Sequence, residues 1–322
     1  MAAAAGGVER GADLIGAVDV VVGANLERLL GWSGGRLLVD LLGIHGTAFS
    51  RRIGDVQVTD NIEAPPTVTL YRAYLEQRLL NDRLRIAAGV YAVDWEFDIA
   101  PSGDLFVHSS FGTGGDLGNA GRGGASIYPA SGLGLRVLVE PVAGFTFRAA
   151  VTDGVPRETT DPCCVHVSLS RDDGAFVIAE AAYDDERVKV AVGAWRFTTR
   201  FEERRGTSGV YALAQVPVAD QWGAFVRAGA AEPVGNLVDI YIGGAVVGRN
   251  LVFDEDRIGA GVASARPVGR ARWETAFELT WLVPIVRGFG LQPVLQAVTN
   301  PGFAPVGTRA ALVVGARGIV SL

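Results

Sequence analysis

The chain has 322 residues, a formal net charge of −6, 49% hydrophobic residues and 20% charged ones. That apolar content excludes a disordered chain, and the acidic balance excludes the cationic surface that phosphate binding demands, so no nucleic-acid partner is expected. Glycine supplies 43 residues without a collagen-like period; scattered among alternating apolar positions, it points to many tight turns and closely approaching strands.

Helical membrane spans are excluded, because no stretch of about 20 apolar residues exists. The longest uncharged run, 288–308, is interrupted by Gln292, Pro293, Gln296, Asn300, Pro301 and Pro305, so it reads as a strand and a loop. Met1 is followed by four alanines and two glycines, with neither the basic start nor the apolar core of a secretory signal.

The pattern that fills the chain is alternation over segments of about ten residues. Strands are expected at 14–24, 35–46, 67–79, 83–94, 131–140, 144–153, 175–183, 187–198, 207–217, 221–231, 237–247, 257–266, 272–283, 287–298 and 308–322, fifteen in all. In the segment 67–79, Thr69, Tyr71, Ala73, Leu75 and Leu79 are expected on one face and Arg72, Tyr74, Glu76 and Arg78 on the other. Segment 133–140 sets Leu133, Leu135, Val137 and Val139 against Gly134, Arg136 and Glu140, and Val188, Val190, Val192 and Ala194 oppose Arg187, Lys189 and Gly193.

Short turns such as 80–82, 184–186 and 219–220 contrast with long connections at 47–66, 95–130, 154–174 and 248–256. Short turns at one end and long loops at the other are how transmembrane barrels are built. The last strand, with Leu312, Val314, Ala316, Gly318, Val320 and Leu322 on one face, allows pairing with the first and closure of the sheet. The expected fold is therefore all-β, a transmembrane antiparallel β-barrel, with a soluble all-β carbohydrate-binding protein as the alternative that alternation alone also fits.

Several stretches carry a family resemblance. VQVTDNIEAPPTVTLYRAYLEQ (Val56–Gln77), AAGVYAVDWEFDIAPSGDLFVHSSFG (Ala87–Gly112), Tyr128-Pro129 followed by GLGLRVLVEP, GAWRFT (Gly193–Thr198) and LQPVLQAVTNPG (Leu291–Gly302) resemble, in order, segments of the carbohydrate-selective (OprB-like) porins. The resemblance implies a single barrel domain over 1–322 with sixteen strands, one more than the pattern displays. It implies an outer-membrane pore for passive diffusion of small neutral sugars into the periplasm, in contact with outer-membrane lipid, as monomer or trimer. A general diffusion porin with ionic preference is the alternative on the same fold. Gly6-Gly7 before Glu9-Arg10-Gly11 resembles a family position that follows an earlier strand, so a signal peptide and part of a first strand are expected to be absent from this sequence.

A pore needs a wet passage and hydrogen-bonding groups along it rather than catalysis. Segment 95–130 is the candidate inward-folded constriction loop, bringing Glu96, Asp98 and Asp104 as acceptors and Trp95 and Phe97 as aromatic contacts for sugar rings. Arg72, Glu76, Arg136 and Arg148 are the candidate wall residues, with ion pairs that merely stiffen the wall as their alternative role. Glu180, Arg227 and Glu278 have the same facing. Trp32, Trp195, Trp222, Trp273 and Trp281, near strand ends, are candidates for interfacial girdles.

No enzyme is expected. His45, His108 and His166 are far apart and lie in no nucleophile motif, and the glycine-rich run 112–124 lacks a phosphate-loop Lys-Ser/Thr. Adjacent Cys163 and Cys164 have no ligand spacing, so neither a metal nor another cofactor is expected.

Overall fold

The structure, a computed structural model, describes residues 1–156, 170–185, 187–201 and 204–321; Cys163, Cys164 and His166 lie outside them. Among these residues the chain forms seventeen strands of one antiparallel sheet: β1 (Ala2–Gly6), β2 (Gly11–Asp13), β3 (Gly16–Asn25), β4 (Gly35–His45), β5 (Thr67–Leu79), β6 (Leu84–Tyr91), β7 (Gly132–Val142), β8 (Phe145–Asp153), β9 (Ala175–Asp184), β10 (Lys189–Phe201), β11 (Arg204–Ala219), β12 (Trp222–Ala231), β13 (Val238–Arg249), β14 (Arg257–Pro267), β15 (Glu274–Val286), β16 (Phe289–Thr299) and β17 (Ala310–Val320).

From β3 to β17 every strand pairs with its successor. β1 then links the two ends, pairing with β17 on one side and β2 on the other. β2 and β3 follow each other along one crossing, so the seventeen strands occupy sixteen positions around the wall. The position beyond the fifteen expected from alternation is Ala2–Gly6, whose run of alanines carries no polarity contrast to read. Pairing through β1 joins the two ends of the sheet, and the neighbour-to-neighbour ladders from β3 to β17 give most backbone donors and acceptors partners within the wall, which hydrocarbon requires at several kcal/mol per group.

The strand period decides the two faces. Leu133, Leu135, Val139, Val190, Val192, Val226, Leu279, Leu295 and Val314 stay exposed on the outside, whereas Arg136, Lys189, Arg227, Glu278, Gln292 and Gln296 of the other parity are buried. β5 departs from the expected facing. Arg72 opposes Asp40 but Leu70 opposes Leu41, a bulge that inserts Tyr71. Parity changes there, so Thr69 and Tyr71 are buried like Arg72 and Glu76 instead of sharing the outer face of Leu75.

At one end the connections are tight. Leu80, Asn81 and Asp82 turn through three left-handed conformations (φ 54°, 55° and 66°), and Gly288 (φ 78°) makes the reversal between β15 and β16. The segment 26–34, with helix α1 (Leu26–Leu30), and the segment 250–256 also lie at this end, so the latter is not among the opposite-end loops where its length suggested. The opposite end carries 46–66, with α2 (Ser50–Ile53), 92–131, with α3 (Gly115–Gly118), and 300–309.

The interior is partly filled. Val93, Phe97, Leu117 and Ala120 of segment 92–131 pack with Phe176, Ile178, Trp195 and Phe197 of the wall. Leu105, Phe106 and Phe111 pack with Phe225, Tyr241 and Val247. Trp195 is 2% exposed and packs against the Phe176–Phe197 pair, so ordinary packing rather than a girdle accounts for it. Trp32 and Trp222 remain exposed near strand ends.

Candidate functional site

Three glutamates on the inner face hold the inserted segments by their backbone. Glu180 of β9 accepts the Asp98 N–H at 2.9 Å and the Tyr211 hydroxyl at 2.7 Å. Glu278 of β15 accepts the Val107 and His108 N–H groups, each at 2.8 Å, and the Gln296 amide at 3.0 Å. Glu274, four residues away on the same strand and face, accepts from Val56, Gln57 and Gly302 at 2.8, 3.0 and 2.6 Å. Charge-assisted bonds of this kind are the strong ones, and here they satisfy loop N–H groups that no ladder could reach.

Arg227 of β12 supplies the complementary clamp. Its guanidinium pairs with Asp98 at 2.9 Å and donates to the carbonyls of Asp98, Ser110, Phe111 and Gly112. Asp98 also accepts the Gly114 N–H at 2.8 Å. Burial pushes the Asp98 carboxyl up to about 6, against the pull of Arg227. Asp116 in α3 is raised to about 7 by burial and by the neighbouring Asp98 charge, and neither of its oxygens has a hydrogen-bond donor among the described residues. Burial lowers His108 to about 3, leaving a neutral ring.

With the segment so fixed, its first turn (Val93–Trp95) stands against β4 to β8. Arg72 is bound to Asp40 of β4 at 2.7 Å, and its guanidinium carbon lies 3.5 Å from the centre of the Trp95 ring. Asp94 accepts from the Tyr71 hydroxyl and, at 2.8 Å, from the Tyr128 N–H. Arg136 of β7 joins Glu76 of β5 at 2.6 Å to Glu96 of the loop at 2.9 Å. Arg78 reinforces Glu76 at 2.7 Å, and Arg148 of β8 donates to the Glu96 carbonyl and lies 3.5 Å from Glu180.

Of the residues expected from sequence, Arg72 and Trp95 thus form one cluster with Asp40, and Glu76, Glu96, Arg136 and Arg148 form a second beside it. Trp95 is 54% exposed within the first. Phe97 and Asp98 are fully buried and present no surface to a passing solute; their place is between loop and wall. Asp104 is in a separate pair, 2.8 Å from Arg257 of β14, nine strands along the sheet from β5.

Sequence reading placed Tyr74 on the polar face of its strand but passed over Asp19 and Asp40. Val21 opposes Asp40, which opposes Arg72, so Asp19, two residues from Val21, shares this inner face. A lone acid within Val18-Asp19-Val20-Val21-Val22 was the available signal. Tyr74 packs edge-on against Tyr91, with ring centres 5.8 Å apart.

An antiparallel ring that is apolar outside and polar inside, with a long segment folded against its inner face, defines a porin. The profile of the carbohydrate-selective porin, OprB family, matches residues 9–194 and 181–322; the chain belongs to that family and is a carbohydrate-selective porin. It superposes on the high-pH structure of Pseudomonas putida OprB with a TM-score of 0.85 at 18% identity, covering 100% of this chain and 92% of that one. The low-pH structure of the same porin gives 0.65 at 17% identity, with coverage of 100% and 89%. A mutant of the Rh. blastica porin gives 0.55 at 10% identity, with coverage of 95% and 90%. No curated protein sequence matches the chain.

Proposed function

We propose that the protein is an outer-membrane channel whose selecting element is the space between segment 92–131 and the wall from β3 to β7. The observation that carries this reading is the exposure of Trp95, 54%, beside Phe97 and Asp98 at 0%. An indole left half uncovered amid paired charges is a surface for the apolar face of a sugar ring, with one of its own faces already taken by Arg72. Glu96, whose side chain keeps 24% exposure while Arg136 holds its Oε1, lines the passage with Asp19 and the arginines.

Charge balance favours neutral solutes over ions. Arg72 is matched by Asp40, Arg136 by Glu76 and Glu96, and Arg227 by Asp98, which leaves hydrogen-bonding capacity without a strong net field. Binding through one aromatic face and a few exposed acceptors is weak enough to permit exit. Ion current through single channels in a planar bilayer, recorded with and without glucose, tests the reading. Glucose should reduce the current in a saturable way; a current that millimolar to molar glucose leaves unchanged excludes selective sugar passage.

A further inference from the structure

At the short-turn end two segments leave the wall and fold back along its outer face. In 26–34, Leu26 is buried beside Gly35, and Trp32 lies over that glycine, where a Cβ would stand 3.0 Å from the indole ring. Gly35 pairs with Gln77 while the neighbouring Arg36 pairs with the buried Glu76. Gly35 and Gln77 therefore belong to the outward row of Leu75 and Leu79. The Trp32 N–H donates to the Gln77 side chain at 2.6 Å, and the Gln77 amide donates to the Ser33 carbonyl at 2.9 Å.

Segment 250–256 is fastened in the same way. Gly248 pairs with Trp222 and Ile258, and Ile258 with Trp281, two residues from the exposed Leu279, so this row also faces outward. Leu251 reaches Gly248, and the Phe253 ring stacks on Trp281, 11° from parallel with centres 5.9 Å apart. Asp256 accepts the backbone N–H groups of Leu251, Val252 and Phe253 and, at 3.1 Å, the Trp281 indole N–H.

Both segments leave apolar side chains uncovered. Leu29, Leu30, Trp32, Val252 and Phe253 are 45–74% exposed. Around α1, Leu26, Leu29 and Leu30 fall within an arc of about 100°, with Glu27 and Arg28 on the other side. An exposed leucine taken singly means little, but these groups continue the apolar outer rows past the last paired residues. The Trp32 and Trp281 N–H groups, which would resist an apolar setting, are already bonded.

We infer that segments 26–34 and 250–256 are two interfacial feet, lying in the headgroup boundary of a phospholipid leaflet with Leu29, Leu30, Val252 and Phe253 among the upper acyl carbons. This rests on the reading of the protein as an outer-membrane channel, whose short-turn end faces the periplasm. Continuity identifies the occupant: each foot extends an outward row of the wall without a break, so the lipid that covers the row covers the foot. Eight strands separate β4 from β13, and the feet thus stand at distant points of the rim. One such contact fixes depth; two also resist tilting and hold the lumen along the membrane normal.

Nitroxide labels test the feet. They are placed through Leu30→Cys, Val252→Cys, Glu27→Cys, Asp254→Cys or the mid-wall Leu279→Cys, each with Cys163→Ser and Cys164→Ser, in protein reconstituted into phosphatidylethanolamine–phosphatidylglycerol vesicles. Access of oxygen, which concentrates in hydrocarbon, is compared with access of a water-soluble nickel chelate. The oxygen-to-nickel ratio at positions 30 and 252 should exceed that at 27 and 254 at least about fivefold, and fall below that at 279. A ratio at 30 and 252 no higher than at 27 and 254, with 279 still in hydrocarbon, overturns the feet and leaves the channel reading standing. Exclusion of both reagents from 30 and 252 overturns them too, because the side chains then pack against protein. Contact of position 279 itself with water overturns both the feet and the channel.

Discussion

The guanidinium of Arg72 stacks on the Trp95 ring at 3.5 Å while Asp40 grips its other edge at 2.7 Å. Arg72 thus joins barrel wall and inserted loop, and fixes the orientation of an indole that would otherwise be free to rotate into the passage. Both members of the Asp40–Arg72 pair are nearly fully buried, so its geometry persists at salt concentrations that screen surface pairs.

Removing the aromatic face tests its part in selection. Trp95→Ala should raise the glucose concentration for half-block of the ion current about tenfold, the equivalent of about 1.4 kcal/mol of stacking. Trp95→Phe should retain part of the effect. The measurement is current noise or block against sugar concentration in planar bilayers.

Arg136 is 2% exposed and is shared by Glu76 and Glu96. Arg136→Ala leaves two carboxylates facing each other, and breaking a buried pair from one side costs about 3–5 kcal/mol. The expected outcomes are a reversal potential shifted towards cation selectivity and a lower temperature for heat modification on gels. Substituting the half-exposed Arg122, paired with Asp173, should change neither by a comparable amount.

Arg227 holds four loop carbonyls and Asp98. Arg227→Leu should free segment 92–131 from β12, widening the passage. Vesicle swelling should then extend to larger oligosaccharides, and single-channel conductance should rise and fluctuate. Unchanged size exclusion would place the constriction elsewhere.

Asp116 contributes to the pH dependence of the loop, alongside Asp98. Its folded carboxyl is raised to about 7 from an ordinary value near 3.8, by burial and by Asp98. A raised acid stabilises the folded arrangement fully below its unfolded value and loses that contribution as pH climbs through the folded one. Loop protection against deuterium exchange should therefore fall between about pH 4 and pH 7, and Asp116→Asn should flatten that decline. His108, lowered to about 3, acts in the opposite sense, weakening the fold as pH falls below about 6.5; the variant should leave this second limb intact.

Most of the wall was legible because a barrel strand writes its facing into every second residue. Leu133, Leu135 and Val139 against Arg136, or Val190 and Val192 against Lys189, needed no neighbour to be read, and the structure places them so. Ala2–Gly6 escaped because alanine on both faces gives no contrast. Thr69 and Tyr71 were assigned to the wrong face because one inserted residue reverses parity, and a bulge has no signature in a single strand.

The candidate site divides along the same line. That the chain is apolar outward and charged inward, and that 95–130 is too long to be a turn, belongs to the sequence, since both depend on local order along the chain. Which charges meet was decided by the closed ring and the folded-in loop. These bring Arg136 to residues 60 and 40 positions away and Arg227 to Asp98, 129 positions away, while sending Asp104 to Arg257 and Phe97 into packing. Facing is a property of one strand; partnership depends on the register of sixteen positions and on where a loop comes to rest, and no local pattern encodes either.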